Sequence, residues 1–591
     1  MIRFRFKRLW ESLRWLVLAL VLAGLLGGSV PAGPFGPITW GGTVDIGGGW
    51  GRMLQVAEGH WLCVTARYPA GTNSYLRIQQ SFDYGRTWSV LSNVAEDGRT
   101  LDNGELALRP NGEILLTMRS LIPNLSYRLP VYVSHNRGAS WSYRSNIDTS
   151  EGTVAQLGRG LWEPDFQGLD DGRLVVTYSN EKHTGYSQLI SARVSTDDGR
   201  TWSAETWAVS QPGGGDLRPG MSQIARMANG QYILVYEVVN LGNADVHSKI
   251  SDDGVSWPAG IGTRIPCQHC GPFVMSLPNG VLLISSCQNE ISFSEDFGQS
   301  WQKMDPPAWP GGFVFTWPAI YFIRTNEVGV MATTNGVKLK FGTLSPRPAW
   351  PNPLTNNFNS GTDAGWSRYG GNVALANGRY LLSNEGTYGK SMMGDVFWRD
   401  GVLEAELMLT SPGNAGLMFR TTNPDFDGPD AAFGYYAGLD SAGFVILGTM
   451  DNGWKALTNA PVSVGLNAWH RLKVTMQGSQ IGVYVNNVLK LSRTDARFTR
   501  GQVGVRSFQC DAQFDNVTFS NAAPLRLESS RTADRLDFSW PETSVSVKLL
   551  GGDSVSSGVT QPGFPVLQDG AWHQSVILPA SPLQFYWLQA Q

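Results

Sequence analysis

Two stretches of the chain set carboxylates where acid–base chemistry could use them. The first runs Leu161-Trp-Glu-Pro-Asp-Phe166 and continues through a glycine turn to Tyr178-Ser-Asn-Glu-Lys-His183. The second runs Arg218-Pro-Gly-Met-Ser-Gln223 and continues through another turn to Tyr236-Glu237. Both read as strand, turn, strand, so their carboxylates stand at strand ends. Cleaving a glycosidic bond takes two carboxylates that flank it, about 5–5.5 Å apart in retaining enzymes and wider in inverting ones. Glu163 and Glu237 are the candidate pair, and Asp165 and Glu181 are the nearest competitors.

A repeat positions these strands. The pattern Ser-x-Asp-x-Gly-x-Thr/Ser-Trp is intact at Ser81–Trp88, Ser195–Trp202 and Ser294–Trp301. At Ser134–Trp141 it carries Asn136 in place of Asp, and a weaker copy spans Ile250–Trp257. Recurrence every 45–60 residues or so is how a propeller blade of four short strands shows itself in sequence. Each copy reads as a tight turn. The Asp or Asn is expected to bond the backbone two residues on, and Gly supplies the positive φ. The Trp should pack between adjacent sheets, a burial worth roughly 2–3 kcal/mol.

A second repeat runs in register with the first: turns ending at Gly59, Gly112, Gly172, Gly230 and Gly280, each followed by an apolar strand. Five boxed blades, plus an unboxed one from Phe313–Leu344 closed by a strand near Trp40–Ile46, give six. On the strand before each turn, the one nearest the axis, Arg52, Glu105, Asp165, Gln223 and Phe273 occupy equivalent positions. On the strand after it stand Ala66, Arg119, Ser179, Glu237 and Cys287. Inner strands that only pack should be apolar or small, so ionic groups converging there point to a site. The substrate-binding candidates are Arg52, Glu105, Arg119, Trp162, Asp165, Tyr178, Glu181, Arg218, Gln223 and Trp317. Of the aromatics, Trp162, Trp317, Tyr178 and Tyr236 could stack on sugar faces.

Composition sets the frame. A chain of 591 residues with 69 Gly, 22 Trp and only 16% charged residues fits several all-β domains. A net charge of −3 gives no reason to invoke nucleic acid. Arg3, Arg5, Lys7, Arg8 and Arg14 precede an apolar run from Trp15 to Leu26, and Val30-Pro-Ala32 offers a cleavage site. This reads as a signal peptide over residues 1–32, hence a secreted or cell-surface protein. The apolar run is short beside the roughly 20 residues of a spanning helix, so membrane attachment is expected only if the segment stays uncleaved. A monomer is expected. The five cysteines include Cys267-Gln-His-Cys270. No second ligand pair accompanies it, so a local disulfide or buried thiols are expected, with no metal and no cofactor.

The segments WEPDF, DDGRLVVTYSNEKH and RPGMSQIARMANGQYILVYE, together with the boxes, resemble the exo-1,5-α-L-arabinanase family (glycoside hydrolase family 93) of the sialidase-fold clan. The resemblance covers about residues 40–345. It implies an exo-acting, retaining glycosidase whose catalytic pair is Glu163 and Glu237, assigned as nucleophile and acid/base; chemically, the acid/base must be the carboxylate whose pKa is raised by its surroundings. Sialidases resemble one another in a three-arginine clamp on the sugar carboxylate and a Tyr nucleophile. Here Arg52 stands where the first clamp arginine belongs, but the stretch after Glu237 offers only Lys249. Blade five, Cys287-Gln-Asn-Glu-Ile-Ser-Phe-Ser294, has no Arg, and Trp317 stands near the expected Tyr.

The propeller is therefore expected over 33–348. After a Pro-rich linker, alternating strands such as Gly401–Leu409, Phe433–Asp440 and Ile481–Val488 read as a β-sandwich over 354–522. Their order resembles concanavalin-like jelly rolls, closest to the family 66 type of carbohydrate-binding module. The resemblance implies lectin-like targeting, with Arg420, Tyr435, Tyr436 and Asp440 as a candidate binding face. Residues 523–591 read as a small fibronectin-III-like β module. The fold class is thus all-β: a six-bladed propeller, a jelly-roll sandwich and a small C-terminal β module. The expected function is that of a secreted exo-acting retaining glycoside hydrolase on a neutral polysaccharide, α-1,5-L-arabinan first, with a glycan as partner. The alternatives are an exo-α-sialidase or a non-catalytic glycan-binding propeller. Paired glutamates at blade mouths argue against the last, since a lectin has no need of two approaching carboxylates.

Overall fold

A computed structural model describes residues 35–521 other than 124, 153–158, 288–289, 305–306, 310–315, 347–349, 384–387 and 426–427. Beyond them it describes the backbone of short strands between Glu528 and Ala590. The expected signal segment lies outside the described residues. All regular structure described is strand, and the chain divides into two compact units, 1–349 and 350–591.

The first unit is a six-bladed propeller of four-stranded antiparallel sheets. Blades one to five take consecutive strands from Gly49–Ala57 through Gln302–Met304. Blade six is built from Thr316–Arg324, Glu327–Thr333 and Val337–Pro346, and the N-terminal strand Phe35–Asp45 pairs with the last of these as its fourth strand. The ring is thus closed by pairing the two ends of the domain, which leaves no open edge between first and last blades.

Each box does what its residue types dictate, with a longer reach than expected. In the first, Asp83 Oδ1 accepts from the N–H groups of Arg86 and Thr87, three and four residues on, and Oδ2 from the Thr87 hydroxyl. Ser81 Oγ accepts the Gly85 N–H at 2.8 Å. Two successive residues, Tyr84 and Gly85, take positive φ (60° and 86°). Asn136 serves the same role in the second box, accepting the Ser140 N–H at 2.9 Å. The weak copy begins at Ser251, not Ile250: Ser251 Oγ bonds Asp253 and Gly254, and the turn is one residue shorter with one positive φ, at Gly254. The tryptophans pack as expected. Trp141, Trp202, Trp257 and Trp301 each join a core cluster shared by their own blade and the preceding one.

The inner strands share a second irregularity, which the repeats did not announce. Five have a β-bulge at the same place, between Gly49/Arg52, Asp102/Glu105, Trp162/Asp165, Gly220/Gln223 and Thr316/Ala319. A residue of each bulge is left-handed: Trp50, Asn103, Glu163, Met221 and Trp317, with φ of 48°, 51°, 54°, 50° and 52°. In blade five the equivalent residue is Gly271 (φ 43°). The expectation of a local disulfide or buried thiols takes a definite form here. Cys270 pairs with Cys287, seventeen residues on, and not with Cys267.

The second unit contains the sandwich. One sheet includes Gly401–Leu409, His470–Gln477, Gln480–Val485 and Ala512–Asn521, and the other Asn414–Thr422, Phe433–Asp440, Phe444–Asp451 and Gln502–Phe508. Leu403, Leu407, Leu417, Phe419, Leu472, Val474, Val505 and Phe514 meet between them. The proposed binding face is corrected by burial. Arg420 is 1% exposed and held by Asp400 and the Arg399 carbonyl. Tyr435 lies in the core, and Tyr436 is buried under Arg506. The C-terminal segment forms one four-stranded and one three-stranded sheet.

Burial works against ionisation of Asp83, Asp197 and Asp253, but the turn N–H and hydroxyl donors outweigh it and bring each carboxyl down to about 2 from 3.8. A depressed folded-state pKa means this stabilisation is complete above 3.8 and disappears as pH falls through about 2. The melting temperature should therefore drop across that interval. Because Asn136 already works in its box, Asp83→Asn/Asp197→Asn/Asp253→Asn should fold and show a shallower drop. An equally steep one would remove the box carboxylates from the acid-labile groups.

Candidate active site

A bulge takes a backbone N–H out of the ladder and turns it outward. In blades four and five those N–H groups reach carboxylates of the preceding blade. Glu163, itself the left-handed bulge residue of blade three, accepts from the Met221 N–H of blade four at 3.0 Å and from Ser179 Oγ at 2.9 Å. Glu237, on the second strand of blade four, accepts from the Gly271 N–H of blade five at 2.7 Å. One blade along, the same relation joins two donor–acceptor pairs.

Gly220 brings the two glutamates together. It is the cross-strand partner of Glu237, and a Cβ placed on it would lie 3.6 Å from Glu163 Oε2, 3.2 Å from Ser179 Oγ and 2.6 Å from Gln188 Nε2. Gln188 thus occupies the space that any side chain at 220 would fill, with Glu163 in contact distance beside the backbone opposite Glu237. Close approach of another group is a recurring reason for Gly inside a strand.

The two environments differ. Burial pushes both carboxyls up. Glu163 is drawn back by Ser179, the Met221 N–H and the positive charges of Arg119 and Arg52. Glu237 is pushed further by the charge of Glu163, against only the Gly271 N–H and Arg218, and stands at about 7. One carboxylate is well solvated by fixed donors, and its neighbour is kept partly protonated at neutral pH. This is the asymmetry that acid–base chemistry on two carboxyls requires.

The remaining candidates fall into three groups. Arg218 and Glu181 lie beside the pair. Arg218 Nη2 donates to Glu181 Oε1 at 2.5 Å and Gln188 Oε1 at 2.8 Å, while Glu181 Oε2 takes the Gly160 N–H. Arg119 and Trp162 form another part of the mouth: the guanidinium sits 4.7 Å over the indole and bonds Asp102, which also accepts from the half-exposed Tyr68 hydroxyl. Trp317 stands against Trp50, with centroids 5.7 Å apart.

Arg52, Glu105, Asp165 and Gln223 form the third group. They lie two residues further along the inner strands than the bulge residues, and all are under 10% exposed. Arg52 is covered by Trp50 and Phe273 and pairs with Glu105 at 3.5 Å, and Asp165 takes the Ile224 N–H at 3.1 Å. Burial raises the carboxyls of both Glu105 and Asp165. This group is a buried polar plug, so the expectation that it touches substrate is corrected. Tyr178 and Tyr236 are corrected too. Both are 0% exposed, with hydroxyls on Asp148 and the Ile261 carbonyl, so neither can stack on a ligand.

Ser179, Gly220, Met221 and Gly271 were missed as contributors. Ser179 was in register with Glu237 but has an unremarkable type. The others act through a backbone N–H or through lacking a side chain, and composition does not display either. Among the described residues, Trp50 Nε1, Asn103 Oδ1 and Arg119 Nε are buried near the mouth without a hydrogen-bond partner.

Comparison with known proteins agrees with this architecture. Residues 129–312 match a BNR repeat-like domain, and residues 353–520 match a 3-keto-alpha-glucoside-1,2-lyase-like domain. The propeller thus contains a BNR repeat-like region, and the sandwich is similar to a domain of the second type. The levanase of Bacillus subtilis (strain 168) is 25% identical over 199 residues, which are 32% of this chain. The chain spans only 27% of the length of that enzyme. Among solved structures, the Penicillium chrysogenum alpha-L-arabinanase complexed with arabinobiose is similar at 22% identity over 52% of this chain and 98% of its own, with a TM-score of 0.46. The Bacillus subtilis carbohydrate-binding module CBM66 is similar at 22% identity over 26% of this chain and 95% of its own, with a TM-score of 0.24.

The Glu237 environment makes a prediction independent of any substrate. Carboxyl-labelled protein followed by ¹³C NMR should show a glutamate titrating near 7 that Glu237→Gln removes. Glu163→Gln should move that midpoint down, because it deletes the neighbouring negative charge. A midpoint unmoved by Glu163→Gln would separate the two groups electrostatically.

Proposed function

We propose that the propeller is an exo-acting, retaining glycoside hydrolase with Glu163 as nucleophile and Glu237 as general acid/base. The observation that carries the reading is the pair itself: two glutamates close enough for the charge of one to act on the other, Glu163 held by fixed donors that oppose the effect of burial and Glu237 pushed to about 7. In such a reaction Glu237 protonates the leaving-group oxygen while Glu163 attacks the anomeric carbon. Glu237 then takes a proton from the water that releases the sugar from Glu163. Proton and leaving group balance over the two steps. Arg119, Trp162, Asp102, Tyr68, Glu181, Arg218 and Trp317 are the groups available to a sugar.

The resemblance of the segments around Glu163 and Glu237 to the arabinanase family makes α-1,5-L-arabinan the first substrate to test. A sialidase reading is disfavoured by the placement of Arg52, whose charge is spent on Glu105 beneath Trp50 rather than offered to an anionic sugar. For the sandwich, carbohydrate targeting is supported by the match of 353–520 to a domain type named for sugar chemistry. Secretion is supported by the basic-then-apolar N-terminus and by the Cys270–Cys287 bond, since disulfides persist in oxidising compartments.

On linear 1,5-α-arabinan the wild type should release one short product, and Glu163→Gln and Glu237→Gln should each lose about 10³-fold or more in kcat. The acid must be protonated for the first step, so kcat/KM should fall as pH rises through about 7. Binding without release from arabinan would shift the substrate to another neutral glycan. A glycan panel left uncut would overturn the hydrolase.

A further inference from the structure

Blade five departs from the others at one place, and that place adjoins Glu237. In the remaining blades a backbone-paired couple stands on the mouth side of the bulge: Gly49 with Ala66, Asp102 with Arg119, Trp162 with Ser179, Gly220 with Glu237, and Thr316 with Thr333. Blade five has short strands, Phe273–Ser276 and Leu282–Ser285, whose ladder stops at Phe273–Ser285. The couple that should follow is Cys270 and Cys287. Their Cα atoms are 5.3 Å apart, a cross-strand spacing, and a disulfide joins them. Cys287 N–H also bonds the Cys270 carbonyl at 3.1 Å. The covalent bond thus stands in for missing ladder exactly where the bulge must be held.

What the bulge presents is Gly271, whose N–H is the one backbone donor on Glu237 among the described residues. Gly271 is confined on its other side: a Cβ there would lie 2.9 Å from Met221 Cε and 3.1 Å from Cys287 Sγ. The sulfur bridge therefore packs against the residue that bonds Glu237, and Met221, touching the same spot, donates its own N–H to Glu163. We propose that the Cys270–Cys287 disulfide is a positioning element of the catalytic pair, holding the Gly271 N–H on the Glu237 carboxyl. The inference rests on the reading of Glu163 and Glu237 as acid and nucleophile.

A donor to the ionised form lowers a carboxyl pKa, so releasing it raises that pKa. The other charges facing Glu237 are Glu163, from blade three, and Arg218, from its own blade, which is itself paired with Glu181. None of these is bonded to the disulfide, so opening the bridge leaves them in place and acts on the Gly271 donor.

The test uses the full chain as oxidised wild type, as wild type reduced under native conditions, and as Cys270→Ser/Cys287→Ser. The ¹³C titration of Glu237 is read in each, with kcat and KM across pH. We expect the Glu237 midpoint to rise by about half a pH unit or more in both altered forms, with the alkaline limb of kcat/KM moving with it. Maximal kcat should fall several-fold while KM changes less than about two-fold, the pattern of a lost transition-state interaction. A midpoint that is unchanged or lower overturns the proposal. Collapse of the near-UV spectrum in both altered forms also overturns it, in favour of a bond that only holds the fold. If no glycan is cut, the titration still decides, so failure of the hydrolase reading is separable from failure of this one.

Discussion

The structure depends on the bulge in the inner strands. Six strands converge on a propeller axis, each the inner edge of its blade, with one face of its backbone groups left without a partner in its own sheet. One extra residue per strand interrupts the ladder at the same level in five blades, and a glycine takes the equivalent left-handed place in the remaining one. A non-glycine residue in that conformation costs on the order of 1–2 kcal/mol. The propeller carries that strain at Glu163 and Met221, both of which end up in the candidate site. In return the freed amides point across the blade boundary, where Met221 and Gly271 each meet a glutamate.

Seen this way, the site belongs to the boundaries between blades. Blade three supplies Glu163 and Ser179, blade four Gly220, Met221 and Glu237, and blade five Gly271. Any shift of one blade against the next would separate a donor from its acceptor. The box tryptophans, each packed into a core shared by two blades, oppose that shift from the opposite end of each sheet pair. The N-terminal strand in blade six does the same for the ring as a whole. Scaffold and chemistry are therefore coupled through rigidity. The bridge in blade five extends the coupling where the ladder is too short to provide it.

Beneath the mouth, Arg52, Glu105, Asp165 and Gln223 illustrate how charge alone misleads. Their positions looked like a converging site, and they do converge, but on each other. Two carboxyls facing one guanidinium in a buried space raise each other's proton affinity, and burial adds to it. Only the residues at the bulge and at the ends of the second strands remain for a ligand.

Much was legible from sequence because it is local and repeated. The boxes, the glycine turns and their common register determine the blade count and the strand order, since Ser, Asp, Gly and Trp at fixed offsets favour one kind of turn. Alternating residues likewise determine the sandwich. Tertiary structure decided the rest, because it concerns groups from different blades or groups without side chains. The reach of Asp83, the start of the short box at Ser251, the partner of Cys270, the burial of Tyr178 and Tyr435, and the donors on Glu163 and Glu237 all depend on where a neighbouring strand lies. A backbone N–H is the same in every residue but proline, so no residue type marks the ones that Met221 and Gly271 turn toward the carboxylates. Their geometry exists only once the blades are packed.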